Sequence, residues 1–219
     1  MLELNKIYQG NCFELTKQVE DKSIDLVVTD PPWNVGKDYG DYKDNLSKEE
    51  YKNLIYLLKD LWDKKANGRV AIVLGSEILK QWWDVFPDAK IIIVRLGALV
   101  LTRKKNMHLQ WKAVLTTCKS NDFSIDLWTD IRWPGEGYFF NEPRYGHPTM
   151  TPLKLTKRLV RLFSKENDII LDPFTGIGTT PVACEEMGRN FIGMELNQKY
   201  VDIANKRLAN TYFQQELIK

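Results

Sequence analysis

Asp168-Ile169-Ile170-Leu171-Asp172-Pro173-Phe174-Thr175-Gly176-Ile177-Gly178-Thr179-Thr180 is the stretch on which the fold turns. Asp168 to Leu171 reads as a buried strand. Gly176 and Gly178 permit a tight strand-to-helix turn and a close backbone approach to a ligand. The helix that follows, Thr180 to Met187, ends at Gly188, where a C-cap glycine belongs. Phe191 to Met194 then reads as a second strand, closed by Glu195. An acid in that position can accept hydrogen bonds from ribose hydroxyls. Thr179-Thr180 replace the third glycine of the dinucleotide fingerprint, and no Walker lysine is present, so a cradle for phosphates is missing. S-adenosylmethionine fits such a site, since it needs ribose, adenine and amino-acid contacts but no pyrophosphate pocket.

Outward from this unit, short apolar runs alternate with amphipathic segments of helix length, the pattern of an α/β domain with a mainly parallel sheet. Strands are expected at Lys6–Gln9, Ile24–Thr29, Arg69–Leu74, Lys90–Leu96 and Lys112–Cys118 besides the two above. Helices are expected at Lys48–Lys64, Glu77–Val85, Pro152–Phe163 and Gln198–Ala209, the first with Ser47 as its N-cap. Residues 34–45 read as a long polar loop and 121–148 as irregular. A length of 219 residues suits a single domain over 1–219.

Ile24-Asp25-Leu26-Val27-Val28-Thr29 is a second buried strand, and it runs directly into Asp30-Pro31-Pro32-Trp33. Ligands of open α/β sheets bind outside the carboxyl ends of strands. If this strand neighbours the Asp168 strand, Asp30 faces the glycine turn across one crevice. An exocyclic base amine is a poor nucleophile because its lone pair is delocalised into the ring. The Asp30 carboxylate and the Pro31 carbonyl can each accept one of its N–H groups, freeing that lone pair for attack on a methyl sulfonium. Proline has no N–H and a fixed φ, so Pro31 and Pro32 make a rigid, donor-free turn. Trp33 offers a flat face for an extruded base, a contact worth about 1–3 kcal/mol.

Composition narrows the classes. The net charge is only +2, from 31 basic and 29 acidic residues, but the basic residues are clustered. Residues 89–121 carry Lys90, Arg95, Arg103, Lys104, Lys105, Lys112 and Lys119 without a carboxylate, and 143–165 is likewise basic and acid-free. Two such runs in a nearly neutral chain suit a phosphate backbone. Three scattered cysteines indicate neither a disulfide framework nor a metal site, and point to a reducing cytoplasm. His108 and His147 read as structural and no metal is expected. Trp62, Trp82, Trp83 and Trp111 read as core or subunit contacts. No run of about 20 apolar residues suggests a membrane span, and Met1 to Tyr8 does not read as a signal peptide.

The two constellations together resemble the β-class amino-methyltransferases of DNA, which methylate adenine N6 or cytosine N4. There, as here, the catalytic motif precedes the cofactor motif. The resemblance implies a seven-stranded Rossmann-like sheet in permuted motif order, with Asp30, Pro31, Pro32 and Trp33 as catalytic residues. It implies cofactor contacts from Asn11 and Cys12, from Asp30 and Thr149, from Asp172, Phe174, Thr175, Gly176, Gly178, Thr179 and Thr180, and from Glu195 and Leu196. His147-Pro148-Thr149 with Pro152 resembles a family motif that usually reads His-Pro-Thr-Gln-Lys-Pro. Met150-Thr151 replace its Gln-Lys, and Asn11 stands where Asp is common.

An Asp in the first motif position is typical of the family's adenine-N6 enzymes, whereas Ser is usual for cytosine N4, so the expected substrate is adenine in double-stranded DNA, flipped out of the helix. Cytosine N4 is the rival. RNA adenine is another, though RNA enzymes with this tetrapeptide generally have a degenerate cofactor turn. A catalytically silent nucleic-acid-binding subunit and a nicotinamide dehydrogenase are poorer fits. Little length remains for a separate recognition domain. Target contacts are therefore expected from a short region, 99–146, and from a mobile loop, 34–46, or from a second subunit. Lys37, Tyr39, Arg103, Lys104, Lys105, Arg132 and Arg144 are the DNA-contact candidates. A homodimer and a partnering restriction endonuclease complete the expected partners.

Overall fold

The computed structural model describes residues 2–39, 42, 44–95, 111–119, 126–131, 145 and 150–218. Eight strands form one sheet: β1 (Lys6–Gln9), β2 (Leu26–Thr29), β3 (Val70–Gly75), β4 (Lys90–Arg95), β5 (Trp111–Thr116), β6 (Leu127–Trp128), β7 (Ile169–Asp172) and β8 (Asn190–Glu195). Their order is β1-β8-β7-β2-β3-β5-β4-β6. Every neighbouring pair is parallel except the two made by β5, which runs antiparallel to β3 and β4.

Side chains alternate between the two faces of a strand, and here each face has its own helical cover. Leu26, Val28, Ala71 and Val73 join Leu155, Leu159, Phe163, Ala183 and Leu208 of α4 (Leu153–Phe163), α5 (Thr179–Glu186) and α6 (Gln198–Ile218). Val27, Val70, Ile72 and Leu74 point the other way, onto Tyr51, Ile55 and Leu58 of α2 (Lys48–Ala66) and Trp82 of α3 (Leu79–Val85). A strand covered on both sides is apolar along nearly all of its length, which is why Leu26–Val28 and Val70–Leu74 read as apolar runs. Each fully buried aliphatic or aromatic side chain contributes about 1.5–3 kcal/mol.

The expected strands and helices form, with ends displaced by a few residues. Ser47 and Glu50 make a reciprocal capping box at the start of α2. Three features depart from expectation. The sheet has eight strands rather than seven, because Leu127–Trp128, inside the stretch read as irregular, pairs with Ile93 and Val94 of β4. Two residues are too short for a periodic signal. Helix α1 (Cys12–Thr16), only five residues long, was likewise below detection. Helix α6 extends to Ile218, well beyond Ala209.

Part of the second basic run holds the fold together. Lys154 and Arg158 of α4 reach Asp130 at 2.8 and 2.5 Å, and Lys157 pairs with Glu186. Arg158, then Lys154, hold the Asp130 carboxyl far below the usual carboxylate range. These cations anchor α4 to the segment after β6. Trp62 and Trp82 are fully buried, whereas Trp83 is 37% exposed. Among the described residues, no helix is long and apolar enough to cross a membrane.

Candidate active site

β2 and β7 are neighbours, with Leu26 opposite Ile170 and Val27 opposite Leu171. Their carboxyl ends therefore deliver Thr29-Asp30 and Asp172 side by side, and Thr29 Oγ1 donates to Asp172 Oδ1 at 2.8 Å. The crevice above them is lined from both constellations, by Asp30, Pro32 and Trp33 on one side and by Asp172, Phe174, Thr175, Gly176, Thr179 and Thr180 on the other. Asn11, Cys12, Glu195 and Leu196 close its far end.

The glycine turn is held by backbone geometry and by Glu195. Gly176 and Gly178 have φ of 53° and 84°, values that L side chains rarely adopt. At Gly178 a Cβ would also lie 2.7 Å from the Ala204 Cβ of α6. Arg207, buried on α6, donates to the Ile177 carbonyl at 2.6 Å and stays within 3.3 Å of Thr179 Oγ1. Glu195 Oε2 accepts from Gly176 N at 2.9 Å and Oε1 from Asn197 N at 2.8 Å. Both oxygens are thus fixed at the edge of the crevice. Gly10 N donates to the Glu195 carbonyl at 2.9 Å, which brings Asn11 and Cys12 to the same end. Asn11 Oδ1 caps α1 by accepting from Phe13 N at 2.9 Å. Burial pushes the Cys12 thiol up to about 12.

Asp30 is the hub of the other wall. Its Oδ1 accepts from the Trp33 indole N–H at 2.8 Å, and its Oδ2 accepts from the Thr151 hydroxyl. Burial raises its pKa, opposed by the charge of Lys112 and by the two hydrogen bonds. Asp172, only 4% exposed, is pushed by burial up to about 6 despite hydrogen bonds from Thr180, Thr29 and the Phe174 N–H. Asp30 adds like-charge repulsion.

Behind the turn, Tyr51 of α2 donates its hydroxyl to the Pro32 carbonyl at 2.9 Å and accepts from Trp82 Nε1 at 3.1 Å. Trp82 stacks between Trp62 and Phe86, both at 6.1 Å. The Pro32 carbonyl is therefore tied backward into the core. Among the described residues no hydrogen bond reaches the Pro31 carbonyl, and Pro31, expected as a catalytic residue, is buried and is not among the residues that line the crevice. Tyr51→Phe is expected to cost about 1–3 kcal/mol, because Trp82 Nε1 loses its buried acceptor, and to lower kcat more than it raises the cofactor KM. Thermal unfolding and steady-state kinetics on one preparation check both.

Two side chains, Asp44 and Asn34, organise the loop after the motif. Asp44 accepts from the backbone N–H groups of Asn34, Val35 and Lys37 at 2.7, 3.0 and 2.9 Å. Asn34 closes the base of the loop through Leu46 N and O. Lys37 is exposed at its rim. Tyr39, expected at DNA, lines the crevice beside Tyr42 and Tyr200. Thr149, Arg103, Lys104, Lys105, Arg132 and Arg144 lie outside the described residues.

Three residues at the site escaped the sequence reading. Thr151 lay in the stretch that departs from the family motif, and the departure itself was the clue. Tyr51 sat in an ordinary amphipathic helix, and Lys112 was counted with the phosphate-binding run.

The chain is similar to known proteins along most of its length. Residues 101–206 match the family model described as DNA methylase, and residues 2–82 match that described as N-6 DNA Methylase. The type II methyltransferase M2.LlaDCHI of Lactococcus lactis subsp. cremoris is 39% identical over 248 aligned residues, covering 92% of this chain and 88% of that one. Among solved structures, the cytosine-N4-specific PvuII DNA methyltransferase superposes with a TM-score of 0.71 at 19% identity, over 95% of this chain and 91% of that one. The complex of M1.HpyAVI with S-adenosylmethionine gives 0.64 at 21% identity, over 93% and 98%. The crevice between the Asp30 turn and the Gly176 turn thus sits in a chain that belongs to the N6-adenine and N4-cytosine amino-methyltransferase family of DNA methylases.

Proposed function

We propose that this chain transfers a methyl group from S-adenosylmethionine to adenine N6 in DNA; what carries this reading is the Asp30 carboxylate, which lines one crevice with the Gly176 turn and Glu195. The crevice fits the cofactor on its own evidence. Glu195 presents two fixed carboxylate oxygens for ribose hydroxyls. Asp172 is a buried carboxyl that a ligand ammonium would hold ionised. The Tyr42 hydroxyl, buried at the crevice, has no hydrogen-bond partner among the described residues, as expected of a group awaiting a polar ligand. Bound there, the cofactor supplies an electrophilic methyl group.

The chain's own residues then do the rest. Asp30 accepts one N–H of the target amine and Pro31 the other, which localises the nitrogen lone pair. Trp33 and Thr151 hold the carboxylate in place, so little reorganisation is needed as charge develops. A base turned out of the duplex would enter the crevice beside Trp33, one of its lining residues. DNA contacts are assigned to the 99–146 region, including Arg103, Lys104, Lys105, Arg132 and Arg144, and to Lys37 on the loop.

The Asp in the first motif position favours adenine. Cytosine N4 is the second reading, favoured by the cytosine-specific neighbour of the same fold. Expression in a host without its own DNA methylation, followed by genome-wide detection of modified bases, tests the assignment. N6-methyladenine at one short recurring motif is expected; N4-methylcytosine in its place would overturn the adenine reading.

A further inference from the structure

Lys112 stands opposite Gly75 where β5 pairs with β3, and the Trp33 indole packs over this pair. A Cβ on Gly75 would lie 2.6 Å from Glu77 Oε2, 2.9 Å from Trp33 Cε3 and 3.0 Å from Cζ3, so the ring and that carboxylate both close on bare backbone there. The Lys112 ammonium lies 4.2 Å from the centroid of the same ring. A cation over an indole face is attracted by the ring quadrupole and resists displacement of the ring. The N–H of that ring is the one that reaches Asp30 Oδ1. Lys112 is therefore one side chain removed from the reacting carboxylate, turned inward from the basic run in which the sequence places it.

We propose that Lys112 is a positioning residue for methyl transfer, pinning the Trp33 indole over Gly75 so that its N–H stays on Asp30, and that it does not serve a DNA phosphate. Gly75 and Lys112 form one seat. The glycine admits the ring and the ammonium closes over it. Thr151 holds the second Asp30 oxygen independently, so loss of Lys112 loosens one of two restraints and does not abolish the site. The role rests on the methyl-transfer reading, whereas the seat itself does not.

The experiment compares the native 219-residue chain with Lys112→Gln and Lys112→Arg, with Lys112→Met as a second neutral variant should the glutamine fold poorly. Hydrogen exchange of the Trp33 indole N–H, assigned through Trp33→Phe, reads the seat without any substrate. Kinetics with S-adenosylmethionine and duplex DNA read the consequence, and DNA affinity is measured across a salt series. The neutral variants are expected to exchange that proton faster and to lose about tenfold in kcat, the scale of one desolvated cation–aromatic contact. Their DNA affinity and its salt dependence stay at the native values, and arginine restores both losses. Unchanged indole exchange overturns the proposal. So does a fall in DNA affinity with a salt slope shallower by about one, the mark of a lost phosphate contact. Absence of methyl transfer in the unmodified chain would instead sink the functional reading, with the indole exchange still deciding the seat.

Discussion

Asp30→Ala is expected to bind S-adenosylmethionine close to normally and to lose at least about 100-fold in kcat. The cofactor contacts we propose lie mainly on the other wall, at Asp172, the glycine turn and Glu195, so binding is expected to survive. The loss falls on the step in which Asp30 accepts an N–H from the target amine, an interaction that strengthens as the nitrogen becomes tetrahedral. Alanine also strips the Trp33 N–H and the Thr151 hydroxyl of their acceptor, each costing about 1–3 kcal/mol if left buried and unpaired. Asp30→Asn separates the two effects. Its amide oxygen still accepts from Trp33, and its amide N–H can donate to the Thr151 hydroxyl, so the fold keeps its hydrogen bonds while the charge is gone. Calorimetry for the cofactor and single-turnover rates check the split. Near-normal turnover in the alanine variant would remove Asp30 from its role.

The second large effect concerns Asp172, where function opposes stability. Its pKa is raised by burial from 3.8 to about 6. Between those values the unfolded chain has already released the proton that the folded chain retains. Stability therefore falls as pH rises through this window, and the full penalty is present above it. Asp172→Asn keeps the acceptor for Thr29 and Phe174 but has no charge to bury. The ligand-free variant is expected to be more stable than the native chain, by about 2 kcal/mol more at pH 7.5 than at pH 4.5. Denaturant unfolding at the two pH values measures this, and a gain independent of pH contradicts it. S-adenosylmethionine should reverse the order at pH 7.5, because its ammonium compensates the native carboxylate and finds none in the variant. A cofactor site that is unstable when empty is the expected cost of binding a cation in a dry place.

What was legible in the sequence was the chemistry written locally. Gly176, Gly178 and the acids Asp172 and Glu195 occur within a single strand–helix–strand unit, and each is needed for a backbone or charge reason that its neighbours reveal. Asp30-Pro31-Pro32-Trp33 is legible for the same reason. The apolar runs of β2 and β3 announced a sheet covered on both faces. What was illegible depends on register. Lys112 meets Trp33 only because β5 reverses direction beside β3 and sets it opposite Gly75. Tyr51 meets Pro32 only because α2 folds back over the carboxyl end of β2. Leu127–Trp128 exists as a strand because β4 offers an edge, not because two residues carry a pattern.

We propose one site, built from the Asp30 turn and the Gly176 turn, that polarises an adenine amine for methylation. It is tested most directly by incubating the purified chain with labelled S-adenosylmethionine and unmethylated duplex DNA, then digesting the DNA to nucleosides. Label in N6-methyldeoxyadenosine, absent when Asp30→Ala replaces the native chain, is the predicted result. Label solely in cytosine, or equal label with Asp30→Ala, would contradict it.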